Sequence, residues 1–407
     1  MPFYLSKNSV AINLVLRNRI LHGINTSTKN DIGLSSSIKS YLHNRKELLF
    51  MDFKIGIEMR DEYKRLETAR GALKFMRDFM LVKPGENVVF NYDTCVDERV
   101  VKALAEATYS LDASPVVVYT STGKGFYGKA NPPAPLSAAV AAADVWVELS
   151  YAPIMHSEPY RQAVDINGAR YVCATGLDVE MLVNLIEKVN IDKVIELGEY
   201  FKKALEESDE IIVKSESGTH LVAHQKGRNV RHSGIKASMK GYPVMMPGQT
   251  SWCPIEETIN GTLVFDGALF PPEIGILQNK IMIDFENGRI KKIYGDGQEA
   301  KMFDEWLKGL NDPNMFRLAH YSQGFNPGVT HCTGRIVEDE RVFGCMEFGI
   351  GSQGKRIGGS YWDAASHTDG ILLRPSIYLD GRPLEENGIY VDPVARRLCA
   401  ELGVEGY

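Results

Sequence analysis

Hydrophobic positions recur along this chain in two rhythms, and the rhythm changes near its middle. Between Asp61 and Met80 the apolar residues Leu66, Ala69, Leu73, Met76 and Met80 fall three and four apart, which predicts one helix face stopped by Pro84-Gly85. Short apolar runs at 88–90, 116–119, 145–149 and 170–174 read as strands. Segments 96–111, 137–143, 178–187 and 192–207 read as helices. Strands alternating with helices predict a parallel sheet covered on both faces. Strands at 210–214 and 219–224 are expected to close this part, near residues 242–248.

The second half has shorter elements. Strands are expected at 262–265 and 280–285, with Asn287-Gly288 turning a hairpin into 290–294, then one amphipathic helix over 299–310. Glycine-rich segments and short strands follow, the pattern of an antiparallel or mixed sheet. Clusters such as Gly349-Ile350-Gly351 and Gly358-Gly359 let backbone approach a ligand or another strand, or are plain turns. The expected fold class is α/β. A parallel, doubly wound, Rossmann-like domain over 51–245 precedes a mixed or antiparallel α+β metal-binding domain over 246–407.

Length supports two domains, since 407 residues exceed one ordinary core. A hydrophobic share of 44% and a charged share of 24% are those of a globular chain. The net charge of −6, without a basic patch, argues against nucleic-acid binding. No apolar run approaches the roughly eighteen residues that cross a bilayer. Six cysteines are scattered without a C-x-x-C pair, which excludes a zinc ribbon and suggests reduced thiols in a cytoplasmic protein. Residues 1–50 stand apart: seven Lys/Arg against two acidic residues give a net +5 and leave −11 for the rest. This basic leader reads as a transit-type segment, or as disordered or untranslated sequence ahead of a true start at Met51.

Two familiar chemistries drop out. The stretch from Gly123 to Ala130 nearly spells a phosphate-binding loop, but Ala130 replaces the hydroxyl that holds magnesium, and Asn131-Pro132-Pro133 blocks the following helix. No G-x-S-x-G elbow exists, and Cys345 lies in an apolar strand, where a neutral buried thiol is expected.

The second half is instead rich in hard-metal ligands: Glu256, Glu257, His320, His331, Glu347, His367 and Asp369. In a strand, His367 and Asp369 face one side together and form a ligand pair, or they are a solvated strand start. Glu347 interrupts an apolar run, where a carboxylate is costly unless paired or ligated, or it points to the solvent face of a half-exposed strand. His320, before a turn-rich polar stretch, reads equally as a ligand or as a loop histidine.

Pro254-Ile255-Glu256-Glu257 with Asn260-Gly261-Thr262 and Asp266-Gly267 resembles the P-x-x-E … N-G-T-x-V-x-D-G segment of the aminopeptidase T family of metallopeptidases. His367-Thr368-Asp369 with Leu379-Asp380-Gly381 is similar to that family's H-x-D … x-D-G metal-binding end. The same architecture is shared by 2,5-dihydroxypyridine 5,6-dioxygenase, a mononuclear iron ring-cleaving enzyme. The resemblance covers most of residues 51–407.

The peptidase likeness implies two metal ions, and Glu257 with His367 and Asp369 fits it. However, His320 occupies the position of a bridging glutamate, Glu347 stands where a histidine is expected, and residues 352–356 offer no tyrosine. The dioxygenase likeness implies the set that remains, His320, His367 and Asp369, which is the facial triad of ferrous oxygenases. The leading expectation is therefore an Fe(II) dioxygenase acting with O2 on a small hydroxylated aromatic or N-heteroaromatic substrate. Glu257 or Glu347 would be the base, and Arg356, Tyr361 and Trp362 the substrate contacts. The main rival is an aminopeptidase holding zinc, cobalt or manganese through Glu257, Glu347, His367 and Asp369. A third possibility is a metal-free binding or assembly protein. The resemblance alone implies a homo-oligomer.

Overall fold

The computed structural model describes residues 60–122, 132–155, 157–272 and 274–407. The basic leader and the stretch from Gly123 to Ala130 lie outside them. The chain divides into two compact units, 1–63 and 64–407. Of the first only residues 60–63, a turn, are described, and every element below belongs to the second.

A helix at Arg65–Lys74 runs on through a wider turn at Phe75–Phe79. Then β1 (Asn87–Asp93), β2 (Ser114–Thr120), β3 (Val145–Glu148) and β4 (Arg170–Cys173) alternate with helices. The helix Glu98–Ser110 starts where the Asp97 side chain accepts a hydrogen bond from the Arg99 N–H, and it buries Val100, Val101 and Leu104. β5 (Glu210–Lys214) and β6 (His220–His224) follow, then β7 (Pro243–Met245). The parallel sheet has the order β2-β1-β3-β4-β7. Its strands β3 and β4 are buried along their whole length, as layers on both faces require.

β5 and β6 do not close this sheet. They form an antiparallel hairpin within an eight-stranded sheet of order β13-β12-β9-β6-β5-β17-β18-β19. The physical reason is visible in their burial, which alternates residue by residue as in a strand with one packed face. The remaining members of that sheet are β9 (Asn260–Phe265), β12 (Ile281–Glu286), β13 (Arg289–Tyr294), β17 (Ser376–Leu379), β18 (Arg382–Glu386) and β19 (Ile389–Tyr390). Asn287 and Gly288 turn β12 into β13 with φ of 51° and 70°, the left-handed pair that a tight hairpin requires.

The third sheet has six antiparallel strands in the order β11-β10-β16-β15-β14-β8. They are β8 (Gln249–Trp252), β10 (Ala268–Phe270), β11 (Gly275–Ile276), β14 (Leu318–Gly324), β15 (Cys345–Gln353) and β16 (Trp362–Leu373). Trp252, Tyr321 and Phe348 interlock edge-to-face across its three strands β8, β14 and β15. At Gly370 any Cβ would stand 2.4 Å from the Phe265 ring, so β16 lies directly on β9 of the eight-stranded sheet. Alternate residues, including His320, Glu347, His367 and Asp369, point the other way. No described helix is long and apolar enough to cross a membrane.

Candidate metal centre

Three neighbouring strands deliver the cluster. In the antiparallel register His320 of β14 faces Gly349 of β15, and Gly349 faces Asp369 of β16. Gly351 faces His367 one step along. The two imidazoles stack over β15 with ring centroids 5.1 Å apart and planes 17° from parallel. Gly349 makes this possible: a Cβ there would lie 2.2 Å from His320 Cε1 and 2.8 Å from His367 Cε1.

His367 Nδ1–H donates to the Ser352 carbonyl at 2.7 Å, which turns Nε2 inward to 2.9 Å from Asp369 Oδ1. His320 Nε2 lies 3.7 Å from the same Oδ1. A potential ligand atom from each of the three residues falls within 4.8 Å of the other two. The separations of 2.9 and 3.7 Å from Asp369 Oδ1 suit one ion bound at about 2.0–2.2 Å to each donor. Glu347 lies on the same side of the ring, its carboxyl 3.0–3.1 Å from His320 Nε2, with Gln249 Nε2 donating to it at 3.3 Å.

Burial sets the charges. It raises the Glu347 pKa far above the carboxylate range, reinforced by the charges on Asp369 and Glu340. Burial also opposes ionisation of Asp369, but His367 and then His320 outweigh it and hold that carboxyl below its ordinary value. His320 is pushed down by burial. For His367 burial works downward and Asp369 more strongly upward. Two buried carboxyls beside two imidazoles form a site that a cation stabilises. The donor set thus fits a divalent metal.

The other predicted residues lie elsewhere. Glu257 is exposed on the turn Glu256–Thr258, outside the cluster. Its neighbour Glu256 is the buried one, paired with Arg228 and accepting from the Ser360 N–H at 2.7 Å. Arg356 points to Asp165 at 3.5 Å and to the Tyr242 ring at 6.0 Å. Tyr361 is exposed, with its hydroxyl on Asp363. Trp362 is buried, with Nε1–H on the Gly351 carbonyl and the Arg317 guanidinium 3.5 Å from its ring centre. His331 is exposed beside Thr330. The residues that sequence reasoning missed are Gly349 as the floor, the Ser352 carbonyl and Gln249. Only Gly349, a glycine inside an apolar strand, carried a signal.

A family model described as "NicX: 2,5-dihydroxypyridine 5,6-dioxygenase" matches residues 74–392. The chain belongs to the NicX family. Within the family it is 29% identical over 153 residues to 2,5-dihydroxypyridine 5,6-dioxygenase of Pseudomonas putida, a match spanning 35% of this chain and 43% of that protein. Among solved structures, the 2,5-dihydroxypyridine dioxygenase of P. putida KT2440 superposes with a TM-score of 0.68 at 19% identity, covering 81% of this chain and 99% of the other. AmpT of Thermus thermophilus superposes with a TM-score of 0.59 at 15% identity, covering 81% and 100%. At these identities the two superpositions establish the fold that NicX proteins share with the aminopeptidase.

Proposed function

We propose that this NicX-family chain is a mononuclear non-haem iron(II) dioxygenase that opens the ring of a small hydroxylated N-heteroaromatic such as a dihydroxypyridine. The observation that carries the reading is the convergence of two imidazoles and one carboxylate on the Gly349 floor. His320, His367 and Asp369 would hold the iron, which when bound supplies open coordination positions for substrate and O2. Ser352 keeps the His367 proton on Nδ1, so that Nε2 is the donor. Glu347 lies beside Nε2, the atom His320 would give the iron, and is the carboxyl placed to hold or pass a proton near the substrate hydroxyl. Glu257, exposed and outside the cluster, is given no part in this reading.

Anaerobic loading with ferrous iron, followed by oxygen uptake with 2,5-dihydroxypyridine, tests the proposal. One iron per chain and substrate-dependent uptake are expected. Two ions per chain, with amine release from leucine anilides in cobalt, would instead establish the aminopeptidase. Unchanged background metal in His320→Ala and Asp369→Ala would point to the metal-free alternative.

A further inference from the structure

Arg231 belongs to no motif, yet it stands on the metal-bearing face of the six-stranded sheet. Its N–H donates to the Ser251 carbonyl at 2.8 Å, and the Ser251 N–H returns a bond at 2.9 Å. Ser251 in turn opposes Ser322, and Ser322 opposes Glu347. Directly opposed residues of antiparallel strands point to one side. Arg231, bridged to β8, therefore makes one row with Ser251, Ser322 and Glu347 across three strands, with His320 two residues from Ser322 on the same face. The Arg231 charge is felt at His320, where it adds to burial in disfavouring the imidazolium.

What sets Arg231 apart is its lack of compensation. Its Nε is enclosed and has no hydrogen-bond partner, and no carboxylate lies within ion-pair distance of it among the described residues. The side chains acting on it are Tyr242, whose hydroxyl hydrogen-bonds it, Tyr160 and a second guanidinium, Arg356, so its partners are neutral or of its own sign. Among the described residues the carboxylate paired with Arg356 is Asp165, 3.5 Å away. A structural arginine in this protein looks different: Arg170 is saturated by Glu86 and by the carbonyls of Met80, Leu81 and Ala237. A half-buried cation whose Nε is shut off from water and which has no counter-ion is costly and is retained where a ligand supplies the charge.

We propose that Arg231 is the anion-binding residue of this site, taking an anionic oxygen group carried by the aromatic substrate, either a ring carboxylate or an ionised ring hydroxyl. Arg356 adds a second positive charge beside it. The inference rests on the reading of this site as a ring-binding one, but not on iron or oxygen chemistry. A planar guanidinium matches a carboxylate through two parallel hydrogen bonds, which lysine cannot reproduce.

The test is binding, not turnover. Calorimetric titration of the full-length protein with benzoate and with benzamide separates charge from shape. Benzoate is expected to bind and benzamide to bind at least tenfold more weakly. In Arg231→Met the benzoate affinity should fall about 30-fold or more, with Arg231→Lys restoring part of it. Thermal melting of Arg231→Met should match or exceed that of the parent, because an unpaired buried charge is gone, whereas a structural arginine would leave the variant less stable. Equal binding of benzoate and benzamide, or undiminished benzoate binding by Arg231→Met, would overturn the proposal. The first comparison decides even if the variant fails to fold. Loss confined to 2,5-dihydroxybenzoate assigns a ring carboxylate, and equal loss with 2,5-dihydroxypyridine assigns an ionised hydroxyl. Charge-selective binding without oxygen uptake would sink the dioxygenase reading and leave the anion site standing.

Discussion

Gly349 shows how much one missing side chain can decide. The stacked imidazoles occupy the volume where its Cβ would be, so Gly349→Ala must displace a ligand or buckle β15. The expected outcome is a loss of iron affinity of about tenfold or more, the scale of a disturbed supporting contact, read by metal content after dialysis against ferrous buffer. Retention of iron by the alanine variant would contradict this geometry. Glu347→Gln, by contrast, keeps the shape beside His320 and removes only a group that burial already keeps protonated. It should retain iron, while Asp369→Ala should not. At this scale the sequence was partly legible. The two-residue spacing of His367 and Asp369 puts them on one side of a strand but leaves ligand pair and solvated strand start open, and His320 needs the likeness to relatives. Arg356, Tyr361 and Trp362 were chosen for nearness in the chain, and a strand end carries neighbours away within a few residues. Nothing in Ile255-Glu256-Glu257 says which carboxylate a tight turn will bury.

Elements were read better than their partners. The parallel layer, the Asn287-Gly288 hairpin and the helix Gln298–Gly309 follow from period and turn chemistry, because those signals are local. The placement of β5 and β6 failed because adjacency in sequence says little about which sheet accepts a half-buried hairpin. One strand also gives a pH prediction. Glu148 at the end of β3 is wholly buried, accepts from the Ile154 N–H at 2.6 Å and from the Tyr171 hydroxyl, and burial raises its pKa to about 7. The folded state thus binds a proton that the unfolded chain, with an ordinary glutamate, has released above about pH 4.5. Its contribution is fully present below the unfolded pKa and is lost as pH rises through about 7, a swing on the order of 3 kcal/mol. Glu148→Gln should flatten that slope, so denaturant unfolding at pH 5 and pH 8 should differ less in the variant than in the parent. An unchanged slope would remove Glu148 as its source.

For the molecule as a whole, the proposed ligands converge on one continuous sheet. His320, His367 and Asp369 come from adjacent strands hydrogen-bonded along their length, with a packed layer beneath. A metal here should stabilise the fold without creating it, unlike a zinc finger, whose chain is unfolded without its ion. Chelation should therefore lower the melting temperature by a few degrees and leave the far-ultraviolet circular dichroism unchanged. Added ferrous iron should restore the parent and not Asp369→Ala. Collapse of the spectrum on chelation would show that the ion is part of the folding nucleus.

The cluster residues alternate with buried neighbours on the other face of their strands: Tyr321 follows His320 and packs edge-to-face on Phe348, and Thr368, bonded to the Pro271 carbonyl, separates His367 from Asp369. A sideways shift of any of the three would have to disturb those buried neighbours. If the proposed ion binds here, a change of metal preference would have to come from exchanging one donor for another, because neighbours packed on the far face leave the backbone little latitude to stretch or shrink the cluster.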